Sequence, residues 1–152
     1  MSVVVRLEEQ HLEPETELRK MLAQGSGDGA VVSFVGVARP DAKSGAPVGK
    51  LVLDHHPTLT HRSLEDIAVA AAERFDVSQV RVVHRCGTIP AGEPIVFAGA
   101  SSSHRRAAFE CADYLMDRLK TEAVFWKREV GEQGSKWIEP TDADYSDSNR
   151  WD

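Results

Sequence analysis

The sequence predicts an α+β fold, because strand-like and helix-like segments are interleaved along the chain and two pairs of strand-like segments are joined by glycine-containing turns. Strand-like segments are rich in β-branched residues, whereas helix-like segments repeat apolar residues every three or four positions. This order is typical of a mixed or mostly antiparallel sheet. We expect one domain over residues 1–140, followed by an acidic tail over residues 141–152 that is loosely held unless Tyr145 or Trp151 docks.

The first half of the chain contains three predicted strands and two predicted helices. A short strand over residues 3–7 precedes a helix that begins at Pro14, since proline is favoured in the first helical turn. Strands follow over residues 30–37 and 50–55. Thr60 is predicted to cap the next helix. The buried face of that helix comprises Leu64, Ile67, Ala68, Ala71 and Phe75.

The second half repeats this alternation and ends in a hairpin. Strands are predicted over residues 80–83 and 94–100, with a Gly/Pro turn between them. The serines at 101–103 offer N-caps for a helix. Its inward-facing residues are Ala108, Cys111, Ala112, Leu115 and Leu119. Residues 124–130 and 136–139 form the two strands of the predicted hairpin.

Composition and charge exclude several classes of protein. A net charge of -6 argues against a broad nucleic-acid surface, because such surfaces need an excess of cations. No stretch approaches the roughly 20 apolar residues that a membrane span requires. The first residues carry charges too early for a secretory signal, so a cytoplasmic location is expected.

The cysteines and paired histidines do not predict a metal or redox site. Cys86 and Cys111 are far apart in sequence and lack a CxxC motif, so we expect both to be small buried hydrophobic residues. His55 and His56 have no third ligand at a useful spacing. The sequence therefore predicts no metal and no cofactor.

The start of the third helix is a candidate anion site. A helix N-terminus exposes unpaired N–H groups, and here they lie beside His104 and Arg105. Arginine binds phosphate through two parallel hydrogen bonds, and helix N-termini recur as anion sites. The alternative is a surface helix start whose basic residues are incidental.

Lys120 and Lys127 are the candidate reactive amines. They lie at the end of the third helix and on the strand after it, and a short connection keeps them near each other. Positive charge from Arg105, Arg118 or Arg128 would disfavour protonation of either amine and make it more nucleophilic. The alternative is that both are ordinary solvated lysines.

Four motifs in a fixed order resemble the large, catalytic subunits of molybdopterin synthases. They are Gly-Ala-Val-Val-Ser-Phe-Val-Gly over 29–36 with Arg39, Ser-His-Arg over 103–105, Leu-Lys-Thr over 119–121 and Phe-Trp-Lys-Arg-Glu over 125–129. The resemblance extends over nearly the whole chain. It implies an α/β hammerhead-type domain with an additional antiparallel β subdomain.

The resemblance also implies a reaction and its partners. Members of the family convert cyclic pyranopterin monophosphate to molybdopterin by two sulfur transfers, without a metal or cofactor. The sulfur comes from a small ubiquitin-like subunit whose C-terminal Gly-Gly ends in a thiocarboxylate. Two large subunits form a homodimer within a heterotetramer, so the chain is expected to be a cytoplasmic sulfurtransferase that binds neither nucleic acid nor membrane.

By the same resemblance, Lys120 lies at the incoming thiocarboxylate, Lys127 transfers a proton or activates the substrate, and Glu129 orients Lys127. Arg39, His104 and Arg105 hold the pterin phosphate. The complete implied substrate-binding set is Phe34, Val37, Ala38, Arg39, His104, Arg105, Met116, Arg128 and Glu129.

The sequence departs from the family at Thr141, where an arginine commonly reaches into the neighbouring subunit. Lys136 and Arg150 are the candidate replacements. Two other functions also stay open at this stage, a binding module that has lost turnover and a bare phosphate-binding protein. The presence of both Lys120 and Lys127 favours the enzyme.

Overall fold

A computed structural model describes residues 1–25 and 27–152 of the chain. The elements in chain order are β1 (Ser2–Glu8), α1 (Pro14–Gln24), β2 (Ala30–Val37), β3 (Lys50–His55), α2 (Leu59–Arg74), β4 (Gln79–Arg85), β5 (Gly87–Pro90), β6 (Pro94–Ser102), α3 (Arg105–Glu122), β7 (Phe125–Gly131), β8 (Gly134–Ile138) and α4 (Asp142–Asn149). None of these helices is both long enough and apolar enough to span a membrane.

The strands form two four-stranded sheets. In the first sheet the order is β1-β4-β6-β2, with β1 parallel to β4 and the other pairs antiparallel. The second sheet has the order β5-β3-β7-β8 and is antiparallel throughout. The predicted α+β class is confirmed, and the second sheet is the additional antiparallel β unit that the resemblance implies.

Helices cover both faces of the first sheet. Residues of α2 and α3 pack on the face that carries Val80, Val82 and Ala98, and this is the largest buried cluster among the residues that the structure describes. On the other face Met21 of α1 lies against Gly99, where a Cβ would come within 2.5 Å of the Met21 sulfur. A side chain at Gly99 would therefore push α1 off the sheet.

Sequence periodicity predicts the type of most elements correctly, but some observed boundaries differ from the predicted ones. Thr60 lies inside α2 rather than at its N-cap, because its hydroxyl donates to the Val124 carbonyl at 2.6 Å and accepts from the His56 N–H at 2.8 Å. The serines predicted as caps largely belong to β6, and α3 begins one residue after His104. The short strand β5 was not predicted.

The C-terminal segment forms α4 and docks through the two residues that follow this helix, Arg150 and Trp151. Trp151 packs edge-on against Phe75 and Tyr114, with ring centroids 5.6 and 5.5 Å away. Its indole N–H donates to Asp117 at 2.7 Å, and Arg150 donates to Asp113 and Asp117 at 2.6 and 2.8 Å. Docking by Trp151 is thus the alternative that the structure adopts, and it holds the tail on α3.

Candidate functional site

The two candidate amines lie where the end of α3 meets the second sheet. Lys120 is in the last turn of α3 and is exposed, whereas Lys127 is on β7 and is partly buried. Lys127 is opposite Leu53 of β3 in the antiparallel register, so both point to the side of the sheet that holds buried Leu53 and Ile89. The connection of α3 to β7 thereby brings the two lysines together.

The environment of Lys127 favours its neutral form. Burial, with a further contribution from the charge of Lys120, lowers the pKa of Lys127 to about 8, although Asp144 acts in the opposite direction. An amine with this pKa is neutral in roughly one molecule in ten at pH 7, compared with fewer than about one in a thousand for an ordinary lysine. Lys127 is thus suited to accept or deliver a proton near neutral pH.

The positive charge that acts on Lys127 is that of Lys120, not that of the three arginines considered from sequence. Arg118 pairs with Asp152 at 2.8 Å and with Glu122 at 3.4 Å. Arg128 points to the opposite face of β7, where its guanidinium lies 5.8 Å from the Trp137 ring. Arg105 is at the far end of α3.

Two residues that the sequence did not single out complete the surroundings of the lysines. His84 is buried on β4, and its ring stacks on Phe125 with centroids 4.4 Å apart. Burial, reinforced by the charges of Lys127 and Lys120, lowers the pKa of His84 to about 4. Asp144 of α4 is the second residue. Burial tends to raise its carboxyl pKa, but hydrogen bonds from Thr141 and the charges of both lysines lower it overall.

A sequence signal existed for only one of these two residues. Thr141 and Asp144 have the spacing of a capping box, in which Asp144 accepts from the Thr141 N–H at 2.8 Å and its own N–H donates to the Thr141 hydroxyl at 3.1 Å. This motif predicts a helix start at Thr141. His84 lies in an apolar strand, where its sequence context resembles that of any buried residue.

Glu129 is two residues from Lys127 on β7 and shares its face. Among the described residues, however, no hydrogen bond or ion pair joins Glu129 to Lys127. Its role in orienting Lys127 stays a prediction.

The residues that follow β2 are fixed beside the second sheet. Ala38 is buried with Leu53 and Ile89, and its N–H donates to the Glu93 carbonyl at 2.9 Å. Val37 and Arg39 on either side of it are exposed. The segment therefore presents Arg39 at the end of β2 that lies next to the lysine-bearing sheet.

His104 and Arg105 lie elsewhere on the chain. With Arg106, Phe109 and Glu110 they line an open depression of about 320 Å³ at the start of α3. Lys120 follows Arg105 by 15 residues on the same helix, which corresponds to about 22 Å. A single chain thus carries two groups of predicted site residues at opposite ends of α3.

An apolar strip follows the edge of the first sheet, with side chains on both faces of the edge strand. β2 is an edge strand, and it exposes Phe34, Val35 and Val37 by 42, 37 and 48%. On the adjoining α3, Phe109 is 59% exposed and Met116 is partly buried. Large apolar side chains at an unpaired edge are typical of an interaction surface.

The two candidate replacements for the family arginine are Arg150 and Lys136, and they differ in whether the side chain is already held by its own chain. Arg150 is held by Asp113 and Asp117 of its own chain, as described above for α4. Lys136 is exposed on β8. Thr141 itself is the N-cap of α4. Of the two candidates, Lys136 alone is placed to reach outward.

Comparison with known proteins identifies relatives over the full length. The family model described as MoaE protein matches residues 7–122. The chain is 40% identical over 150 residues to the molybdopterin synthase catalytic subunit of Pseudomonas aeruginosa, with 99% of each chain covered. It is 44% identical over 150 residues to the subunit of that name from Caulobacter vibrioides, covering 99% of this chain and 98% of that one.

Solved structures give the same result. The molybdopterin biosynthesis MoaE protein of Burkholderia ambifaria superposes with a TM-score of 0.82 at 32% identity, covering 98% of this chain and 97% of that one. Molybdopterin synthase from Staphylococcus aureus superposes with a TM-score of 0.77 at 26% identity, covering 87% and 94%. The fold of nearly the whole chain therefore has counterparts among solved structures.

Proposed function

The chain belongs to the MoaE protein family, and on this premise we propose that it is the catalytic subunit of a molybdopterin synthase. It transfers sulfur from the C-terminal thiocarboxylate of a small ubiquitin-like subunit to cyclic pyranopterin monophosphate, forming the dithiolene of molybdopterin. Its place in the cell is the cytoplasm, a reducing compartment that suits two free cysteines.

The observation that carries this proposal is the coupled pair of amines. Lys120, charged and exposed, attracts the anionic thiocarboxylate at the end of the partner's tail. Lys127, partly neutral, accepts the proton released when sulfur adds to the pterin or returns one to it. The pair thus combines an anion anchor with a proton acceptor in one place.

The chain's own thiols are poor sulfur donors. Both cysteines are buried, and burial raises the pKa of the Cys111 thiol to about 12. Burial and the nearby charges of Glu9 and Glu8 also raise the pKa of Cys86. Because thiolates rather than thiols are nucleophilic, sulfur supplied by a partner protein agrees with this chemistry.

We assign the phosphate of the substrate to a pocket shared by two copies of the chain. Arg105 is about 22 Å along α3 from Lys120, too far for both to contact one pterin. A two-fold dimer across the β2 edge and α3 would run the two α3 helices in opposite directions. His104 and Arg105 of one copy would then approach Lys120 and Arg39 of the other, and the exposed apolar strip would be covered.

Complementation between inactive variants tests the shared pocket. We expect Lys127→Ala and Arg105→Ala homodimers each to form little dithiolene when supplied with thiocarboxylated small subunit and with substrate kept below its wild-type Kd, where the weaker binding of Arg105→Ala limits turnover. Co-expression of both variants should restore about a quarter of wild-type activity, because half the dimers are mixed and each mixed dimer has one intact site.

The matched control is co-expression of Lys120→Ala with Lys127→Ala, whose defects lie in the same half of the pocket. No recovery is expected there. If the control recovers as much as the test pair, or if light scattering finds only monomers, the shared pocket is wrong. If wild-type protein itself binds the small subunit but forms no dithiolene in a single turnover, the synthase assignment is wrong.

A further inference from the structure

A second group of reactive side chains lies at the ends of three strands. One ligand atom from each of Glu9, His55 and Cys86 lies within 4.8 Å of the other two. These side chains offer a carboxylate oxygen, an imidazole nitrogen and a thiol sulfur. Among the described residues, no side-chain hydrogen bond or ion pair engages Glu9 or His55.

The fold brings these residues together from distant parts of the sequence. The parallel register of β1 and β4 ends with Glu8 opposite Arg85, so Glu9 and Cys86 follow as neighbours. The Cys86 N–H donates to the Glu8 carbonyl at 2.8 Å, which fixes the two backbones. His55 is the last residue of β3, and β3 is paired with β5, the strand that begins immediately after Cys86.

We propose that Glu9, His55 and Cys86 bind a zinc ion that fastens the second sheet to the first. Zinc prefers this mixture of sulfur, nitrogen and oxygen ligands, whereas magnesium and calcium prefer oxygen alone. A tetrahedral zinc ion with ordinary bond lengths separates its ligand atoms by about 3.3–3.8 Å.

Little movement is needed to reach that geometry. The ligand atoms are already within 4.8 Å of one another, so a closure of about 1 Å completes the site. Glu9 is exposed and His55 is partly buried, so their side chains can rotate, whereas Cys86 is buried and its position is fixed by packing. The exposed side of Glu9 is the path by which the ion enters, and water occupies the fourth position.

The bound ion would have a structural consequence. Glu9 and Cys86 follow strands of the first sheet, whereas His55 belongs to the second, so the ion links the two sheets directly. Ligands that bind only the folded state stabilise it by mass action. The site does not depend on the sulfur-transfer chemistry, and it can be present whether or not the synthase assignment holds.

Cobalt(II) substitution tests the site on the full chain without reference to turnover. We expect one equivalent of Co²⁺ to bind wild-type protein with a thiolate-to-metal charge-transfer absorption, and Zn²⁺ to displace it. Cys86→Ala should abolish that absorption. His55→Gln and Glu9→Gln should each weaken binding by at least about 10-fold, because each removes one of three protein ligands.

Matched controls separate the site from adventitious binding. Cys111→Ala removes the other buried thiol, and His61→Gln removes an exposed imidazole on α2, so both should bind cobalt like wild type. Zinc at about 100 times its Kd should raise the Tm of wild type and both controls by about 5–10 °C and leave Cys86→Ala unchanged.

The proposal is overturned if wild type shows no thiolate absorption with cobalt, or if the absorption persists in Cys86→Ala. If Cys86→Ala does not fold, His55→Gln and Glu9→Gln decide the question, because their side chains are outside the core. Wild-type affinity in both of those variants would exclude the site.

Discussion

Two charged regions of the molecule differ in how their charges are balanced. Under α1, Glu17 is buried between Arg6 and Arg81, and the Arg81 guanidinium lies 2.9 Å from the Glu17 carboxylate. At the end of α3, the charge of Lys120 acts on Lys127, and among the described residues Asp144 is the counter-charge that acts on it. We call the first region balanced, because opposite charges are in contact there. We call the second region unbalanced, because two like charges lie near each other.

The difference shows in the pKa values. Burial tends to raise the pKa of Glu17, but the hydrogen bond and charge of Arg6, with Lys20 and Arg81, lower it overall, so the carboxylate stays charged. Burial and Lys120 together lower the pKa of Lys127, so its charge is disfavoured. The balanced region stabilises the fold, and the unbalanced one keeps a proton exchangeable near neutral pH.

The largest expected effect is on the balanced region. Glu17→Ala should lower the free energy of unfolding by about 3–5 kcal/mol, because Arg81 is left buried without its carboxylate. Urea unfolding measures this change, and Glu15→Ala on the exposed side of the same helical turn is the control, with an expected loss below about 1 kcal/mol. Equal losses in the two variants would contradict the comparison.

The Glu17 carboxylate of the balanced region should also make the free energy of unfolding depend on pH in the acidic range. Because the folded-state pKa of Glu17 is below its ordinary value of 4.5, its contribution is present above that pH and is lost as the pH falls through the lower folded value. In Glu17→Ala this part of the acid dependence should disappear.

The main response of the unbalanced region should be in activity. Lys120→Ala and Lys127→Ala should each lower dithiolene formation by at least about 100-fold, equivalent to about 2.7 kcal/mol of transition-state stabilisation, with folding intact. Lys50→Ala, at an exposed position at the start of β3 in the same sheet, is a matched control and should stay within a few-fold of wild type. Near-normal turnover in either site variant removes that lysine from the mechanism.

A smaller effect is expected on substrate affinity. Arg105→Ala and Arg39→Ala should each weaken binding of the pterin phosphate by about 10- to 100-fold, because each removes a charge-assisted hydrogen bond. Calorimetric titration at two salt concentrations measures this, and higher salt should weaken wild-type binding further if the pocket is open. Wild-type affinity in both variants would place the phosphate elsewhere.

The smallest expected effect is a shift in the pH dependence of turnover when one charge next to Lys127 is removed at a time. Single-turnover rates should rise with pH through about 8 as Lys127 loses its proton. Asp144→Asn should move that rise to lower pH, and Lys120→Met should move it to higher pH, since the first removes an attracting charge and the second a repelling one. Shifts of the same sign would mean that another group controls the profile.

Lys127 should also make the free energy of unfolding depend on pH, with the same sign as Glu17 but in an alkaline range. Because the folded-state pKa of Lys127 is lower than its ordinary value of 10.5, the folded protein binds fewer protons than the unfolded chain between about pH 8 and 10.5. This group alone should therefore make stability rise over that range, and Lys127→Met should remove the rise.

Much of the fold follows from local sequence. The apolar runs over 30–37 and 50–55 predict β2 and β3 at their observed bounds, and Pro14 marks the first residue of α1. These predictions succeed because periodicity and proline act within a few residues. β5 could not be predicted in the same way, since its four residues become a strand only by pairing with β3.

For the candidate site too, some features follow from the sequence and others only from the tertiary structure. Sequence alone determined the identity of Lys120, Lys127, Arg39 and Arg105 as candidates and the class of fold that carries them. Only the tertiary structure decided that Lys120 rather than an arginine lowers the pKa of Lys127, that Arg105 lies at the other end of α3, and that His55, without a third ligand in sequence, has Glu9 and Cys86 beside it. The physical reason is range: propensity and capping act between residues near in the chain, whereas desolvation, charge coupling and ligand geometry depend on distances that strand pairing sets.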